Sequence, residues 1–356
     1  MRKALATLVA VALTAACASP EDTSAADARK VSELPSGAAL TASAGAPAPK
    51  PLPARTTLKV GIPSLLEVEV PALLADAQGE FAKENLAVEF VHDTVPNLLT
   101  LLGQNKIDLT YAGAQALVFN SLKSNVPIRW VSGVSHSQPD SGLYVSNKYG
   151  PAAGFDPASL KGRNIGVNPG GLAAPSQYVL YSALTKGGVE PADITMTPFS
   201  DPAAMAQALI KGTVDGAILG PPYTAVAKPA AFLAEGSAGT DTQIAGYFAT
   251  TRLLGAGRES GLAFFRALER TINTYLTGDY HRDAAVMAKV ATLLSTTPDK
   301  LTSSPAVTFD LNVPASSLER LQAMYRSVPG TLQYEGSVAP GDLIDLSLVA
   351  DAAAGK

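Results

Sequence analysis

The stretch of this sequence with the clearest chemical potential is RNIGVNPGGLAAPSQ, residues 163–177, where an apolar strand leads through a Gly-Gly loop into a helical pattern. The first backbone N–H groups of a helix have no partner and lie at the positive end of its dipole, so such a loop can hold an anion. It is not a dinucleotide-binding motif, because GxGxxG requires a glycine two residues after the first, and Gly166 is followed by Val167 and Asn168. From these residues alone, the loop is either an ordinary strand-to-helix turn or a ligand site.

No common catalytic arrangement is present in the sequence. It contains no GxSxG, HExxH or P-loop motif and no cysteine-histidine pair, and its three histidines, His92, His136 and His281, are far apart in the chain. We therefore expect a protein that is not an enzyme and that needs neither a cofactor nor a metal ion.

Two acidic residues and one histidine have more than one interpretation. Glu67 and Glu69 precede Pro71, and acids near the N-terminus of a helix usually stabilise its dipole, by a few tenths of a kcal/mol to about 1 kcal/mol. Alternatively, Glu67 contacts an amine on a ligand. His136 follows a predicted strand in the polar segment SHSQPDS, where a histidine is either solvated or a ligand contact.

The N-terminal residues, MRKALATLVAVALTAAC, combine two basic residues, a short apolar run and small residues before Cys17. This pattern predicts a secretory signal peptide over residues 1–16, because the apolar run is too short to span a bilayer as a stable helix. Cys17 is the only cysteine, which excludes an intramolecular disulfide and favours lipid attachment. The segment resembles a bacterial lipobox, except that Leu13 lies one position early and Thr14 occupies the usual leucine position. We expect an exported chain that is lipid-anchored at the extracytoplasmic face of the membrane.

Residues 17–57 are predicted to be a disordered tether, since they are rich in Ala, Ser, Pro and Thr and have almost no large apolar side chains for a core. The remaining chain of roughly 300 residues is long enough for one large domain or two smaller lobes. The net charge is -4 at pH 7 and no basic face with interleaved aromatic residues occurs, so nucleic acid is not an expected partner.

The region after the tether alternates strands and helices, and the pattern occurs twice. LKVGIPS predicts a buried strand, PALLADAQGEFAKEN one amphipathic helix, and LAVEFVH a second strand. A further helix leads through Asp108 into a strand ending at Gly113. The offset from Gly61 to Gly166, at the start of the pattern, is 105 residues, and that from Asp108 to Asp215, at its end, is 107. Both ends of the pattern therefore recur with nearly the same spacing. Each copy is expected to form a mainly parallel α/β sheet, and two such lobes facing each other enclose a cleft.

Two extended segments flank the second copy, SGLYVSN (residues 141–147) and IAGYFATTRLL (residues 244–254). We interpret them as the two strands that cross between the lobes. Lobe I is then predicted to comprise residues 58–143 and 248–356, and lobe II to comprise residues 144–247.

With its segments in this order, the chain resembles the solute-binding proteins of ABC importers, specifically the nitrate, sulfonate, taurine and thiamine-precursor family. The resemblance covers the whole region after the tether, in the segments LKVGIPS, GEFAKENLAVEFV, GQNKIDLTYAGAQAL, VPIRWVSGV, SLKGRNIGVNPG, KGGVEPADI, ALIKGTVDGAILGPPY and LIDLSLVADA. It implies the type II periplasmic-binding fold, in which two α/β lobes are joined by two crossing strands around a ligand cleft. It also implies a monomer that delivers a small organic solute to the transmembrane subunits of an ABC permease.

In that family the ligand lies on four loops at strand ends, and the resemblance carries these positions over residue by residue. With His136 added, the expected ligand-binding residues are Ser64, Leu65, Glu67, Gly113, Ala114, Gln115, His136, Asn168, Gly170, Gly171, Ser176, Gly220, Pro222 and Tyr223. The last loop reads GPPY where relatives often carry Trp-Asp/Glu-Pro-Tyr, so an aromatic and an acidic contact are lost there. Tyr223 is expected to face the cleft, as a stacking surface or through its hydroxyl.

The helix start after the Gly-Gly loop indicates which solute to expect. Relatives that bind sulfonates tend to carry small hydroxyl residues there, whereas this chain has Ala173, Ala174 and Pro175 and keeps only Ser176 and Gln177 as donors. No lysine or arginine lies on any of the four loops. We expect a largely organic solute, which is a sulfonate, a taurine-like or aromatic carboxylate anion, or a pyrimidine thiamine precursor.

Two alternatives share the implied fold. One is a ligand-sensing protein without a transport role. The other is an enzyme similar to the fungal and plant pyrimidine-precursor synthases, which use a cysteine-rich motif and a sacrificial histidine, and this sequence has no such cysteine cluster.

Overall fold

The computed structural model describes residues 46–123, 126, 128–137, 140–237 and 242–356. The predicted signal peptide, Cys17 and most of the predicted tether therefore lie outside the described residues. The side chain of His136 also lies outside the description.

Twelve strands and fourteen α-helices form within the described residues, and short 3₁₀ turns join some of them. The strands are β1 Thr56–Ile62, β2 Leu86–His92, β3 Leu109–Gly113, β4 Ile128–Ser132, β5 Ser135–Ser137, β6 Gly142–Ser146, β7 Asn164–Val167, β8 Thr195–Pro198, β9 Gly216–Leu219, β10 Ala231–Gly236, β11 Ala245–Thr250 and β12 Thr308–Phe309. The helices are α1 Val70–Ala77, α2 Glu80–Lys83, α3 Val95–Gly103, α4 Ala116–Lys123, α5 Tyr178–Lys186, α6 Pro202–Ile210, α7 Tyr223–Ala227, α8 Thr251–Leu254, α9 Arg258–Tyr275, α10 Ala284–Leu293, α11 Pro298–Leu301, α12 Ala315–Arg326, α13 Pro340–Leu343 and α14 Ser347–Ala353.

Two five-stranded sheets with the same arrangement define the two lobes. The strand order is β2-β1-β3-β11-β4 in lobe I and, read from the opposite edge, β8-β7-β9-β6-β10 in lobe II. In each sheet the first three strands are parallel to one another, and the fourth is antiparallel to the third. The predicted two-lobed α/β fold is confirmed, and the sequence repeat corresponds to two copies of one topology.

The two aspartates of the repeat have the same structural role in each lobe. Asp108 accepts the backbone N–H of Lys59 on β1 at 2.8 Å, and Asp215 accepts the backbone N–H of Asn164 on β7 at 2.9 Å. The N–H of each aspartate donates in return to the carbonyl oxygen of the same residue, at 2.8 and 2.7 Å. The repeated aspartate therefore joins the start of β3 to β1 in lobe I and the start of β9 to β7 in lobe II.

The chain crosses between the lobes twice. It enters lobe II at β6, which pairs antiparallel with β9 and β10, and it returns to lobe I at β11, which pairs antiparallel with β3 and β4. The extended structure predicted through residue 254 is wrong for its last four residues, because the strand ends at Thr250 and α8 follows. Leu253 and Leu254 are buried there, so this segment packs through one helical face and does not extend the sheet.

The single helix predicted over residues 71–85 is two helices. α1 ends at Ala77 and α2 begins at Glu80, because Gly79 between them has a φ of +72°, which a right-handed helix excludes. Pro71 lies in the first turn of α1, as expected from its fixed φ.

A buried ion cluster joins α2 and the residue after it to α9. Glu84 is fully buried and accepts from Arg266 at 2.8 Å and from Arg270 at 2.9 Å, while Glu80 accepts from Arg270 at 2.7 Å. The two guanidinium groups also donate to the backbone carbonyl oxygens of Pro47, Lys50, Glu80 and Lys356. The cluster therefore ties the first and the last described residues to one helix.

Residues 46–55, which belong to the predicted tether, lie on lobe I. Leu52 is buried, and its N–H donates to the carbonyl oxygen of Glu84 at 2.9 Å. Strand β1 then begins at Thr56. The chain thus joins the fold before residue 57, the predicted end of the tether.

The ion cluster makes lobe I sensitive to one neutral substitution. Glu84→Gln keeps the shape of the side chain but leaves two buried guanidinium groups without this carboxylate, so the free energy of unfolding should fall by about 3–5 kcal/mol. Glu89→Gln is the control, since Glu89 is exposed and 4.0 Å from Lys59, and it should change stability by about 0.5 kcal/mol or less. Urea unfolding measures both, and equal midpoints for the two variants would contradict the prediction.

Candidate functional site

The four expected ligand loops all follow the carboxyl ends of strands. We define loop 1 as residues 63–67 after β1, loop 2 as residues 113–115 at the end of β3, loop 3 as residues 168–177 after β7, and loop 4 as residues 220–223 after β9. β1 is the parallel neighbour of β3, and β7 is the parallel neighbour of β9. Loops 1 and 2 therefore share one edge of lobe I, and loops 3 and 4 share one edge of lobe II, where ligands of parallel α/β sheets bind.

Loops 2 and 3 bring the two lobes into contact. A Cβ atom placed on Gly113 would lie 2.8 Å from Cγ of Pro175, closer than side-chain atoms approach one another. The same position is 3.8 Å from the carbonyl oxygen of Ile244, which accepts the N–H of Ala114 at 2.9 Å. Loop 2 thus meets both loop 3 and the second crossing segment, and only a glycine fits at position 113.

Helix α12 of lobe I packs on the same part of lobe II. It contacts the turn Gly171–Ala173 of loop 3, where Leu172 is buried in one hydrophobic cluster with Leu318. Ser317 of α12 accepts the backbone N–H of Gln243 at 2.9 Å. One helix therefore contacts both a ligand loop of lobe II and the segment that returns the chain to lobe I.

A buried carboxyl group supports loop 1. Glu69 is 1% exposed, and it accepts the hydroxyl of Ser64 at 2.8 Å and the backbone N–H of Leu66 at 3.1 Å. Burial raises the pKa of Glu69 to about 7, although these hydrogen bonds act in the opposite direction. Glu69 orients the hydroxyl of an expected ligand residue, and sequence reasoning missed it because an acid just before a helix is equally typical of an exposed dipole partner.

The carboxylate of Glu67 is held by other side chains of lobe I. It accepts a hydrogen bond from the hydroxyl of Tyr280 and lies 2.6 Å from Nε2 of His281. Nδ1 of His281 lies 3.0 Å from the carbonyl oxygen of Ser304, which can only accept, so Nδ1 is the donor in that hydrogen bond. Both contacts are made to Oε1 of Glu67, so Oε2 is the atom that a ligand amine would contact.

Three polar side chains of loop 3 form one hydrogen-bonded group. Asn168 Nδ2 donates to Ser176 Oγ at 3.1 Å, and Gln177 Nε2 donates to the same oxygen at 3.3 Å. Asn168 and Ser176 are half-buried, while Gln177 is fully buried and its Oε1 has no partner among the described residues. Loop 3 thus presents a hydroxyl held between two amides.

The helix after loop 3 begins later than the sequence pattern predicts. Two 3₁₀ turns, Gly171–Ala173 and Pro175–Gln177, precede α5, which begins at Tyr178. Ala174 between the turns is extended, with φ −97° and ψ 132°, the conformation that a following proline favours. Ser176 therefore lies ahead of α5 and not within it.

Loop 4 joins β9 to α7. Gly220 lies beside the first crossing, since a Cβ atom placed on it would be 3.1 Å from Oγ of Ser141. Pro222 is exposed, whereas Tyr223 is half-buried and packs against the hydrophobic cluster of lobe II. The stacking role of Tyr223 in the cleft stays a prediction.

The other expected site residues lie in loop 3, in loop 2 and in strand β5. Gly170 and Gly171 have φ of +95° and +51°, a left-handed conformation that glycine adopts without strain. Ala114 is buried and Gln115 is half-buried in loop 2. His136 lies in β5, which pairs with β12 and belongs to neither five-stranded sheet.

The described part of the chain has neither a metal-binding cluster nor a membrane-spanning helix. Within it, no group of three or more His, Cys, Asp and Glu side chains could hold a metal ion. Among the residues that the structure describes, no helix is both long enough and apolar enough to cross a membrane.

A family described as NMT1/THI5 like matches residues 68–276, which is more than half of the chain. The chain belongs to this family. The matched residues of this NMT1/THI5-like protein begin directly after loop 1 and include loops 2, 3 and 4. No curated protein matches the chain in sequence.

Solved structures share the fold of this NMT1/THI5-like protein. The periplasmic aliphatic sulphonate binding protein SsuA from Escherichia coli is 19% identical with a TM-score of 0.58, and the match covers 82% of this chain and 91% of that one. The periplasmic nitrate-binding protein NrtA from Synechocystis PCC 6803 is 12% identical with a TM-score of 0.59, covering 86% and 90%. The desulfurization enzyme DSZB is 14% identical with a TM-score of 0.52, covering 84% and 99%. The expected family and the type II periplasmic-binding fold are confirmed, and that fold serves binding proteins and an enzyme.

The raised pKa of Glu69 predicts a pH dependence of stability. The folded protein keeps this proton up to about pH 7, whereas an ordinary glutamate releases it near 4.5, so the folded state binds more protons between these values. The contribution of Glu69 to the free energy of unfolding is therefore lost as the pH rises from 4.5 to 7, and the loss totals about 3 kcal/mol.

Glu69→Gln removes this titration while keeping the side-chain shape. Relative to wild type, the variant should gain stability steadily from pH 5 to pH 7 and no further above pH 8, in urea unfolding at each pH. Glu89→Gln, at an exposed carboxylate, should follow the wild-type profile. If the free energy of unfolding of Glu69→Gln differed from that of wild type by the same amount at every pH, the folded protein would not retain the proton on Glu69.

Proposed function

We propose that this protein is the solute-binding component of an ABC importer, which captures a small organic solute between its lobes and delivers it to the permease. The contact between loops 2 and 3 carries the proposal, because the carboxyl-end edges of two sheets of one topology meet at Gly113 and Pro175. A solute at that junction touches both lobes at once, which couples binding to lobe closure. SsuA and NrtA, which share this fold, are named as periplasmic sulphonate- and nitrate-binding proteins, and this supports the same function.

Three classes of solute are compatible with the proposed role. They are a sulfonate or taurine-like anion, an aromatic carboxylate, and a pyrimidine thiamine precursor. The hydroxyl of Ser176 and the amide of Asn168 supply neutral hydrogen bonds for any of them. The alkanesulfonate-binding protein SsuA from Xanthomonas axonopodis pv. citri, 19% identical with a TM-score of 0.54, is bound to MOPS and supports the first class.

We place the protein outside the cytoplasm, as a monomer that a lipid on Cys17 anchors to the membrane. The N-terminal pattern supports export, and the periplasmic location in the names of SsuA and NrtA agrees with it. The proposed protein partners are the transmembrane subunits of the permease.

Catalysis is the second candidate, because the enzyme DSZB has this fold. Loops 1 to 4 of this chain contain no histidine and no cysteine that could act as base or nucleophile. The arrangement of the loops therefore favours binding over catalysis.

Gly113→Ala tests whether the junction of loops 2 and 3 is the solute site. The added Cβ meets the ring of Pro175, which cannot move without shifting loop 3, so overpacking should cost about 1–3 kcal/mol in the closed state. Solute affinity should then fall about 5- to 150-fold. Calorimetric titration of the chain from residue 18 with taurine, methanesulfonate, benzoate and an aminopyrimidine measures the effect.

Gly257→Ala is the matched control for this experiment. Gly257 has φ −93° and ψ 10°, which alanine adopts, and a Cβ there comes no closer than 3.3 Å to another atom, so this variant should bind as wild type does. Wild-type affinity in Gly113→Ala would place the solute away from the junction.

Lipid attachment has its own test. In cells labelled with palmitate, wild-type protein should take up the label and Cys17→Ser should not, because the substitution removes the only thiol of the chain. Equal label in both proteins would exclude Cys17 as the anchor.

A further inference from the structure

Four large apolar side chains are exposed on the described surface, and all four lie at the site loops. Leu65 and Leu66 in loop 1 are 41% and 58% exposed, Leu117 is 44% exposed in α4 just after loop 2, and Val226 is 53% exposed in α7 just after loop 4. Because β1 and β3 are parallel neighbours, the three leucines belong to one edge of lobe I. Val226 belongs to the corresponding edge of lobe II.

The concentration of these side chains is informative. Single exposed apolar residues scattered over a surface are ordinary, but exposure confined to one region indicates a binding surface. The rest of the described surface exposes no large apolar side chain. The apolar side chains therefore lie where the proposed solute would cover them.

The polar group of loop 3 leaves the hydroxyl hydrogen of Ser176 without an acceptor among the described residues. Ser176 Oγ accepts from both Asn168 and Gln177, which occupies its two lone pairs. No described acceptor receives the hydroxyl hydrogen of Ser176, and two incoming donors make that O–H a stronger donor. The hydroxyl hydrogen of Ser176 is therefore one donor that loop 3 offers to an acceptor on the solute, beside the amide of Asn168.

Charge at the site does not favour an anion. Residues 63–67, 113–117, 168–177 and 220–226 contain no lysine, arginine or histidine. The carboxyl groups at loop 1 are those of Glu67, which lies 2.6 Å from His281 Nε2, and of the adjoining Glu69, which keeps its proton up to about pH 7. An anionic solute would therefore find no cationic side chain on these loops to pair with.

We infer that the solute is an uncharged amphiphile, with one hydrogen-bond acceptor that meets Ser176 and an apolar body that covers Leu65, Leu66, Leu117 and Val226. The inference rests on the proposed function and specifies the chemistry of the same site. It separates this protein from binders of small hydrophilic oxyanions, whose affinity does not depend on apolar contact.

A matched series of ligands tests the inference. The chain from residue 18 is titrated calorimetrically with acetamide, butanamide and hexanamide, and with ethane-, butane- and hexanesulfonate. Affinity for the amides should rise about fourfold for each added CH₂, the gain expected for burial of that group. Hexanamide should bind at least tenfold more tightly than hexanesulfonate, since no cation offsets the sulfonate charge.

Variants test the apolar contacts and the hydrogen bond to Ser176 separately. Leu66→Asn combined with Val226→Asn should flatten the dependence on chain length, while Ser176→Ala should weaken all amides equally, about three- to tenfold, and leave that dependence unchanged. Gln207→Asn, on the exposed surface of α6 in lobe II, is the control and should change neither.

The outcomes separate the inference from the function on which it rests. If the sulfonates bind more tightly than the amides, or if acetamide binds as well as hexanamide, solute binding stands and the inference is wrong. If the double variant keeps the full chain-length dependence, the apolar side chains serve another contact, such as one with the permease, and the inference is also wrong. If no member of either series binds, the inference is wrong, and the proposed function is decided separately by the titrations with benzoate and the aminopyrimidine.

Discussion

The structure depends on one topological constraint, which is that the fourth strand of each sheet is reached only by way of the other lobe. β6 and β11 are antiparallel to the strands beside them. Each therefore begins at the edge where the parallel strands of its sheet end. Gly142 at the start of β6 pairs with Leu219, and Ala245 at the start of β11 pairs with Gly113. Both crossings therefore connect the carboxyl-end edges, and those edges are held facing each other.

Four carboxyl groups at the ends of the sheet strands bind other groups of their own lobe. Asp108 and Asp215 bind backbone N–H groups within their sheets, Glu67 is held by Tyr280 and His281, and Glu69 closes loop 1 on itself. Buried charges and polar groups need such partners, because an unpaired one costs several kcal/mol. The loops also carry apolar side chains and neutral polar ones, such as the hydroxyl of Ser176 and the amide of Asn168.

The sequence pattern predicted the order of elements well and their ends less well. Periodicity located the two βαβ copies, but a pattern of apolar residues does not show that Gly79 adopts a left-handed φ or that residues 251–254 turn helical to bury two leucines. The resemblance located the four loops. It did not reveal Glu69, because burial depends on what packs above a residue and not on the residue's own neighbours in the chain.

The sequence by itself determined the fold class, the internal repeat and the absence of cations on the site loops, because composition and periodicity are properties of the chain. Tertiary structure alone decided which groups meet. It placed Gly113 against Pro175, more than sixty residues apart in sequence, and engaged Glu67 with His281. Contacts between distant residues follow from how elements pack between the lobes, as at Gly113, or within one lobe, as at Glu67, and that packing has no local signal in the chain.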